Sequence, residues 1–158
     1  MKVLFLDIDG VLVTRNAWAK FGPIRDMFGH IFDPDAVAQL KRVIDETRAR
    51  IVVSSSWKCV PGSNGLAEMR MLWASRSLPG DVFSVTPNVS SDERGEEIDM
   101  WLRTNEEPIE QFAIVDDDVM GITNFQMSHF VKTNFKDGLT KEKADELIAL
   151  LNNKKDIE

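Results

Sequence analysis

The stretch Val3-Leu4-Phe5-Leu6-Asp7-Ile8-Asp9-Gly10 limits the fold of this chain more than any other. Its apolar run is too short for a buried helix and lacks the alternation of a half-exposed strand, so it reads as a strand covered on both faces. Two carboxylates follow at once. Side chains alternate along an extended chain, so Asp7 and Asp9 leave on the same side, and Gly10 lets the chain turn tightly after them. Such a strand belongs in a parallel sheet, with its charges at the carboxyl end, where open α/β folds bind their ligands.

The rest of the chain repeats the pattern. Apolar runs predict strands over residues 2–8, 51–55, 82–86, 111–116 and 129–133. Between them, Val37, Leu40, Val43, Ile44 and Thr47 recur at helical spacing after Asp33-Pro34, where Asp caps and Pro suits the first turn. Met69, Leu72 and Trp73 mark a second helix, and Ile98, Trp101 and Leu102 a third that opens near Ser91-Asp92-Glu93; a last one spans residues 140–151. This alternation predicts an α/β fold, a doubly wound three-layer sandwich around a mainly parallel five-stranded sheet. A length of 158 residues suits one domain over 1–158, with no repeat or linker dividing it. Only a short flap carrying Trp18 and Phe21 fits between Gly10 and Asp33, and one modest helix between Ser56 and Gly80, so no bulky cap over the strand ends is expected.

Composition narrows the setting. The single Cys59 excludes an intramolecular disulfide and an all-cysteine zinc site, and points to a reducing, cytoplasmic location. No run approaches the roughly 20 apolar residues of a bilayer span, so no membrane partner is expected. With 19 Lys and Arg against 26 Asp and Glu, the net charge of −7 argues against a broad basic surface for nucleic acid. Any such contact is then local, through Arg15, Lys20, Arg25, Lys58 or Arg94.

The fourth predicted strand ends in Ile114-Val115-Asp116-Asp117-Asp118, so if it neighbours the first, as many as five carboxylates meet. One Asp after a strand is ordinary turn chemistry. Two clusters after two buried strands repel one another and cost too much without a compensating charge. An all-oxygen donor set selects a hard cation, and magnesium is the expected one. His30 and His129 lie away from the clusters, so zinc and copper are not expected. The second strand ends in Ser54-Ser55-Ser56-Trp57-Lys58, whose hydroxyls and N–H groups suit phosphate oxygens or a simple turn. Arg94 and Lys58 are the competing cations for that phosphate, each also explicable as a surface charge.

In this order the residues resemble the haloacid dehalogenase (HAD) superfamily of aspartate-nucleophile phosphohydrolases, over nearly the whole chain. Its DxDG motif matches Asp7-Ile8-Asp9-Gly10, and its second acidic motif, two Asp after an apolar strand, matches Asp116-Asp117. The strand-ending hydroxyl matches Ser54, with Ser55 as the alternative; the basic residue matches Arg94, where the family more often has Lys, with Lys58 as the alternative. The segments VVSSSWK, RGEEIDMWL, AIVDDD and KDGLT further resemble small HAD domains associated with RNA-repair proteins.

The resemblance implies a magnesium-dependent phosphomonoester hydrolase. Asp7 would be the nucleophile that forms an aspartyl-phosphate, and Asp9 the acid and then the base. Magnesium would rest on Asp7, the Asp9 carbonyl and Asp116, with Asp117 in its shell, while Ser54 or Ser55 and Arg94 or Lys58 hold the phosphoryl group. A minimal cap implies a large phosphorylated substrate, a nucleic-acid end foremost. A nucleotide or sugar phosphate, or a phosphate-binding module without catalysis, is the alternative.

Three rival readings fail on spacing. A receiver domain carries its phosphorylated Asp after the third strand, which here ends in Val85-Thr86-Pro87-Asn88. A cysteine phosphatase needs Arg six positions beyond Cys59, where Gly65 stands, and Gly62-Ser63-Asn64-Gly65 lacks the Lys-Ser/Thr of a nucleotide-triphosphate loop. Trp73 and Trp101 are expected in the core, whereas Trp18 and Trp57 are open between base stacking and loop packing.

Overall fold

Val3 to Leu6 have no solvent exposure in the computed structural model, which describes residues 1–153. They form β1 (Lys2–Leu6), the middle strand of the sheet. After it come a short helix α1 (Arg15–Phe21), a hairpin of β2 (Arg25–Asp26) and β3 (Gly29–His30), then α2 (Pro34–Thr47) and β4 (Arg50–Val53). A 3₁₀ turn over Ser56–Lys58 leads to α3 (Leu66–Ser75), β5 (Val82–Val85), α4 (Arg94–Thr104) and β6 (Gln111–Asp116). The chain closes with α5 (Asn124–Met127), β7 (Phe130–Lys132) and α6 (Lys141–Asn152). Five strands make one parallel sheet in the order β5-β4-β1-β6-β7, as expected from the alternation, and β2 and β3 pair apart from it. The chain steps from β1 to one edge, then crosses back to β6, so the strand order reverses between β1 and β6. In a doubly wound sheet that is where a ligand crevice opens.

Alternation along the strands divides the core. Leu4, Leu6, Ile51, Val53, Ala113 and Val115 pack with Leu40 and Val43 of α2, Leu72 of α3 and Leu147 of α6. On the other face Val3, Phe5, Val52 and Ile114 meet Ile98 and Trp101 of α4. Trp101 stands edge-on to Phe5 at 5.4 Å and donates its indole N–H to Ser84 at 2.9 Å; Trp73 donates to the Pro79 carbonyl at 3.1 Å. Both are core residues, each large ring burying area while its one polar atom keeps a partner. Asp33 caps α2 by accepting the Asp35 N–H at 2.9 Å and also takes the Thr14 hydroxyl at 2.6 Å, which ties the start of α2 to the start of α1.

Four of the five sheet strands end one or two residues before the expected runs, while β6 ends at Asp116 as expected. The Ile8 carbonyl accepts the N–H groups of Val11, Leu12 and Val13, at 3.1, 2.8 and 3.1 Å, which curls the chain directly after Asp7. The region between β1 and α2 holds α1, which carries Trp18 and Phe21, and the β2–β3 hairpin. Among the described residues no helix is long and apolar enough to cross a membrane.

Candidate active site

Pairing of Leu6 with Val115 sets the next residues of the two strands, Asp7 and Asp116, side by side at the β1–β6 crevice. The Asp7 N–H donates to the Val115 carbonyl at 3.1 Å, which continues the ladder one step beyond the strand. Asp117 completes a cluster in which one oxygen of each carboxylate lies within 4.8 Å of the others. Gly10 makes room for it. At φ +76 it turns where a side chain is strained, and a Cβ there would lie 2.3 Å from Asp117 Oδ2. The Thr133 hydroxyl, from just beyond β7, donates to the Gly10 carbonyl at 2.6 Å and holds the turn down.

Three carboxylates converge, not five. Asp118 is exposed and accepts the N–H of Met120 at 2.8 Å, and Asp9 is turned to Trp57, whose Nε1–H donates to Asp9 Oδ2 at 3.0 Å. The acids after a strand can share a cleft only where strand parity and the following turn agree. Parity serves Asp7 and Asp116, while the curl at Ile8 carries Asp9 to a separate partner.

The positive charge comes from α4. Arg94, its first residue, places Nε 3.5 Å from Asp116 Oδ2 and Nη2 4.0 Å from Asp7 Oδ1. Gly95 permits this approach, since a Cβ there would lie 1.9 Å from the Gly121 carbonyl. Lys58, the competing cation, is buried elsewhere: its ammonium donates to Asn88 Oδ1 at 2.7 Å and lies 3.5 Å from Glu97, which also accepts the Thr86 hydroxyl at 3.3 Å. It is therefore committed to an ion pair and is no surface cation for a nucleic acid. Of the two serines, Ser55 accepts the Trp57 N–H at 3.3 Å, and its side chain lies near enough to the Asp7 carboxyl to favour its charged form. The Ser54 hydroxyl is fully buried and has no partner among the described residues.

Burial pushes all three clustered carboxyls upward. Asp116 rises to about 7, by burial first and then by the charge of Asp7; Asp117 rises to about 6, by burial and the charge of Asp116. Asp7 is also raised by burial, against the opposing pull of Arg94, the Ile8 N–H and the Asp116 and Ser55 side chains. One guanidinium facing three carboxylates leaves the cluster short of positive charge. A hard divalent cation suits it, since every donor is a carboxylate oxygen and the spacing lets one small ion draw them together.

A family model described as the HAD domain in Swiss Army Knife RNA repair proteins matches residues 3–144. The chain belongs to this HAD family. No curated protein and no solved structure matches it significantly. The matched span includes every clustered carboxylate and Arg94, so the site belongs to the HAD domain itself. In this HAD domain the insertion after Asp9 amounts to α1 and a two-strand hairpin, and that after β4 to a 3₁₀ turn and α3. Neither forms a cap of its own.

The sequence did not announce the Trp57–Asp9 bond, the Thr133 anchor or the close approach at Gly95. Only Gly95 carried a signal, a glycine in a helical first turn where no cap calls for one.

Proposed function

We propose that this HAD domain is a magnesium-dependent phosphomonoester hydrolase that works through an aspartyl-phosphate on Asp7. The observation that carries the proposal is the position of Asp7, a buried carboxylate clustered with Asp116 and Asp117 and faced at 4.0 Å by the Arg94 guanidinium, which also reaches Asp116 at 3.5 Å. In the first step Asp7 attacks phosphorus, the bond to the leaving oxygen breaks, and Asp9 delivers a proton to that oxygen. In the second, Asp9 takes a proton from water as the water oxygen attacks phosphorus and frees Asp7. Arg94 and Ser55 hold the transferring phosphoryl oxygens through charge and hydrogen bonds. Asp7, the Asp9 carbonyl and Asp116 would hold magnesium, with Asp117 in its shell, and the ion would supply the charge neutralisation that so slow a hydrolysis requires.

The favoured substrate is a phosphorylated macromolecular end, of nucleic acid first. The absence of a cap supports it, because a bulky partner can itself enclose the cleft, and so does the RNA-repair setting in which the family is described. Exposed Val119 and Met120, directly after the acids, offer apolar surface to such a partner. The lone, exposed Cys59 suits a cytoplasmic setting. The test is phosphate release with magnesium and with chelator, comparing kcat/KM for a mononucleotide and for the same nucleotide at a phosphorylated oligonucleotide end. Magnesium-dependent turnover favouring the oligonucleotide is expected. A preference for the mononucleotide refutes the macromolecular substrate, and phosphate binding without turnover refutes the hydrolase.

A further inference from the structure

One contact at the strand ends lies outside the roles assigned to Asp7, Asp116 and Arg94. The indole N–H of Trp57 donates to Asp9 Oδ2 at 3.0 Å, joining residues 48 apart in sequence. An indole has a single donor and no acceptor, so this N–H is committed to Asp9 alone. A carboxylate without such a partner rotates about its last torsion and presents either oxygen to solvent.

The ring is held independently of Asp9. Phe32 meets it edge-on with centroids 5.6 Å apart, and the Arg76 guanidinium lies 5.8 Å from it. Gly29, in the hairpin, leaves the space the ring fills, since a Cβ there would be 3.0 Å from the ring edge. Arg76 fastens this packing from the end of α3. It grips Asp26 with two bonds, at 2.8 and 2.6 Å, and donates to the His30 and Gly29 carbonyls at 2.8 and 3.2 Å. The indole is thus gripped on the hairpin side by groups that take no part in the chemistry, and its one polar atom is presented to Asp9.

We infer that Trp57 is a positioning residue for proton transfer by Asp9, an inference that rests on the phosphatase activity proposed above. With Oδ2 occupied by the indole, Oδ1 is the oxygen that gives its proton to the leaving alkoxide as the P–O bond breaks. The same Oδ1 later takes a proton from the attacking water. Proton transfer needs the donor within hydrogen-bond reach in a set orientation, which a tethered carboxyl maintains and a free one samples only part of the time.

The test is Trp57→Phe, which keeps an aromatic ring between Phe32 and Gly29 and removes the donor. General acid catalysis matters for an alkyl phosphate, whose leaving alkoxide is strongly basic, and little for 4-nitrophenyl phosphate, whose phenolate leaves unaided. We expect kcat/KM to fall about tenfold to a hundredfold for the alkyl ester and less than about threefold for the nitrophenyl ester. This quantity reports the first phosphoryl transfer and is blind to slow breakdown of the intermediate. An equal fall for both esters, or none, overturns the positioning role. A second measurement needs no activity: of the four indole N–H resonances, that of Trp57 should be protected from exchange in the wild type and lose protection in Asp9→Ala. A Trp57 resonance indifferent to Asp9→Ala also overturns it. A wild-type protein that releases phosphate neither from the two esters nor from a phosphorylated oligonucleotide end overturns the hydrolase reading and the positioning role with it, whereas an active wild type separates the two. If only the oligonucleotide is cleaved, Trp57→Phe is compared on that alkyl ester, and an unchanged kcat/KM overturns the positioning role.

Discussion

Asp116→Asn should stabilise the metal-free protein while abolishing its response to magnesium, and the stabilisation should disappear in acid. Burial and the neighbouring Asp7 push the Asp116 carboxyl from 3.8 up to about 7 in the folded chain. Between those values the native state retains a proton that the unfolded chain has released, so stability falls as pH rises. A rise of about three units at 1.36 kcal/mol each puts the penalty near 4 kcal/mol, complete above about pH 7 and absent below about pH 4. Asparagine never ionises and keeps an acceptor for the Asp118 N–H at 3.0 Å, but it deprives Arg94 Nε of a carboxylate at 3.5 Å. The net gain at about pH 8 should then be about 2 kcal/mol, or roughly 4–8 °C in Tm for a chain of this size. Thermal unfolding in chelator near pH 8 and near pH 4 measures it, and repetition with millimolar magnesium should raise the wild-type Tm and leave the variant unmoved. A variant no more stable than wild type at the higher pH, or a gain of equal size in acid, would refute the account of Asp116 as a buried charge held in readiness for a cation.

Asp7→Asn should release no phosphate above background, since an amide is a poor nucleophile, yet unfold as cooperatively as wild type in urea. Arg94→Ala should weaken binding of vanadate, read by calorimetry, about tenfold or more without large loss of stability. Lys58→Met should do the opposite, leaving Glu97 buried with no counter-charge; a loss of about 3–5 kcal/mol in urea unfolding is expected. Gly10→Ala should displace Asp117 and strain the turn, lowering magnesium affinity in a direct titration and costing about 1–3 kcal/mol of stability.

What could be read in advance followed from strong local signals. The Asp-x-Asp-Gly after β1 and the three Asp that begin with the last residue of β6 stood at the ends of apolar runs whose burial on both faces allowed one sheet position, and Asp33-Pro34 marked a helix start that the structure keeps. Elements without a period to show were invisible: α1, the two-residue strands of the hairpin, the 3₁₀ turn and α5 are each too short for a repeat. The choice between Ser54 and Ser55 turns on where β4 stops, and three successive serines give no hint of it. Lys58 stood as the alternative to Arg94 because charge alone does not name a partner. Glu97 claims the first through a pairing between β4's exit and α4, a tertiary fact. Trp57 was open between stacking on a base and filling a loop, and the bond to Asp9 is neither.

The sheet order also sets a schedule. β1 can pair with β4 as soon as α2 folds back, but its other edge stays open until β6 has been made, some hundred residues later in synthesis, as the numbering of the two strands shows. Until then a growing chain displays an apolar, unpaired strand edge of the sort that captures other nascent chains. The arrival of β6 closes that edge and in the same movement presses Asp116 against Asp7. Shielding the chain from misassembly and loading its electrostatic spring are one event, so a cation that reaches the crevice at that moment would act as a latch on the last step of assembly.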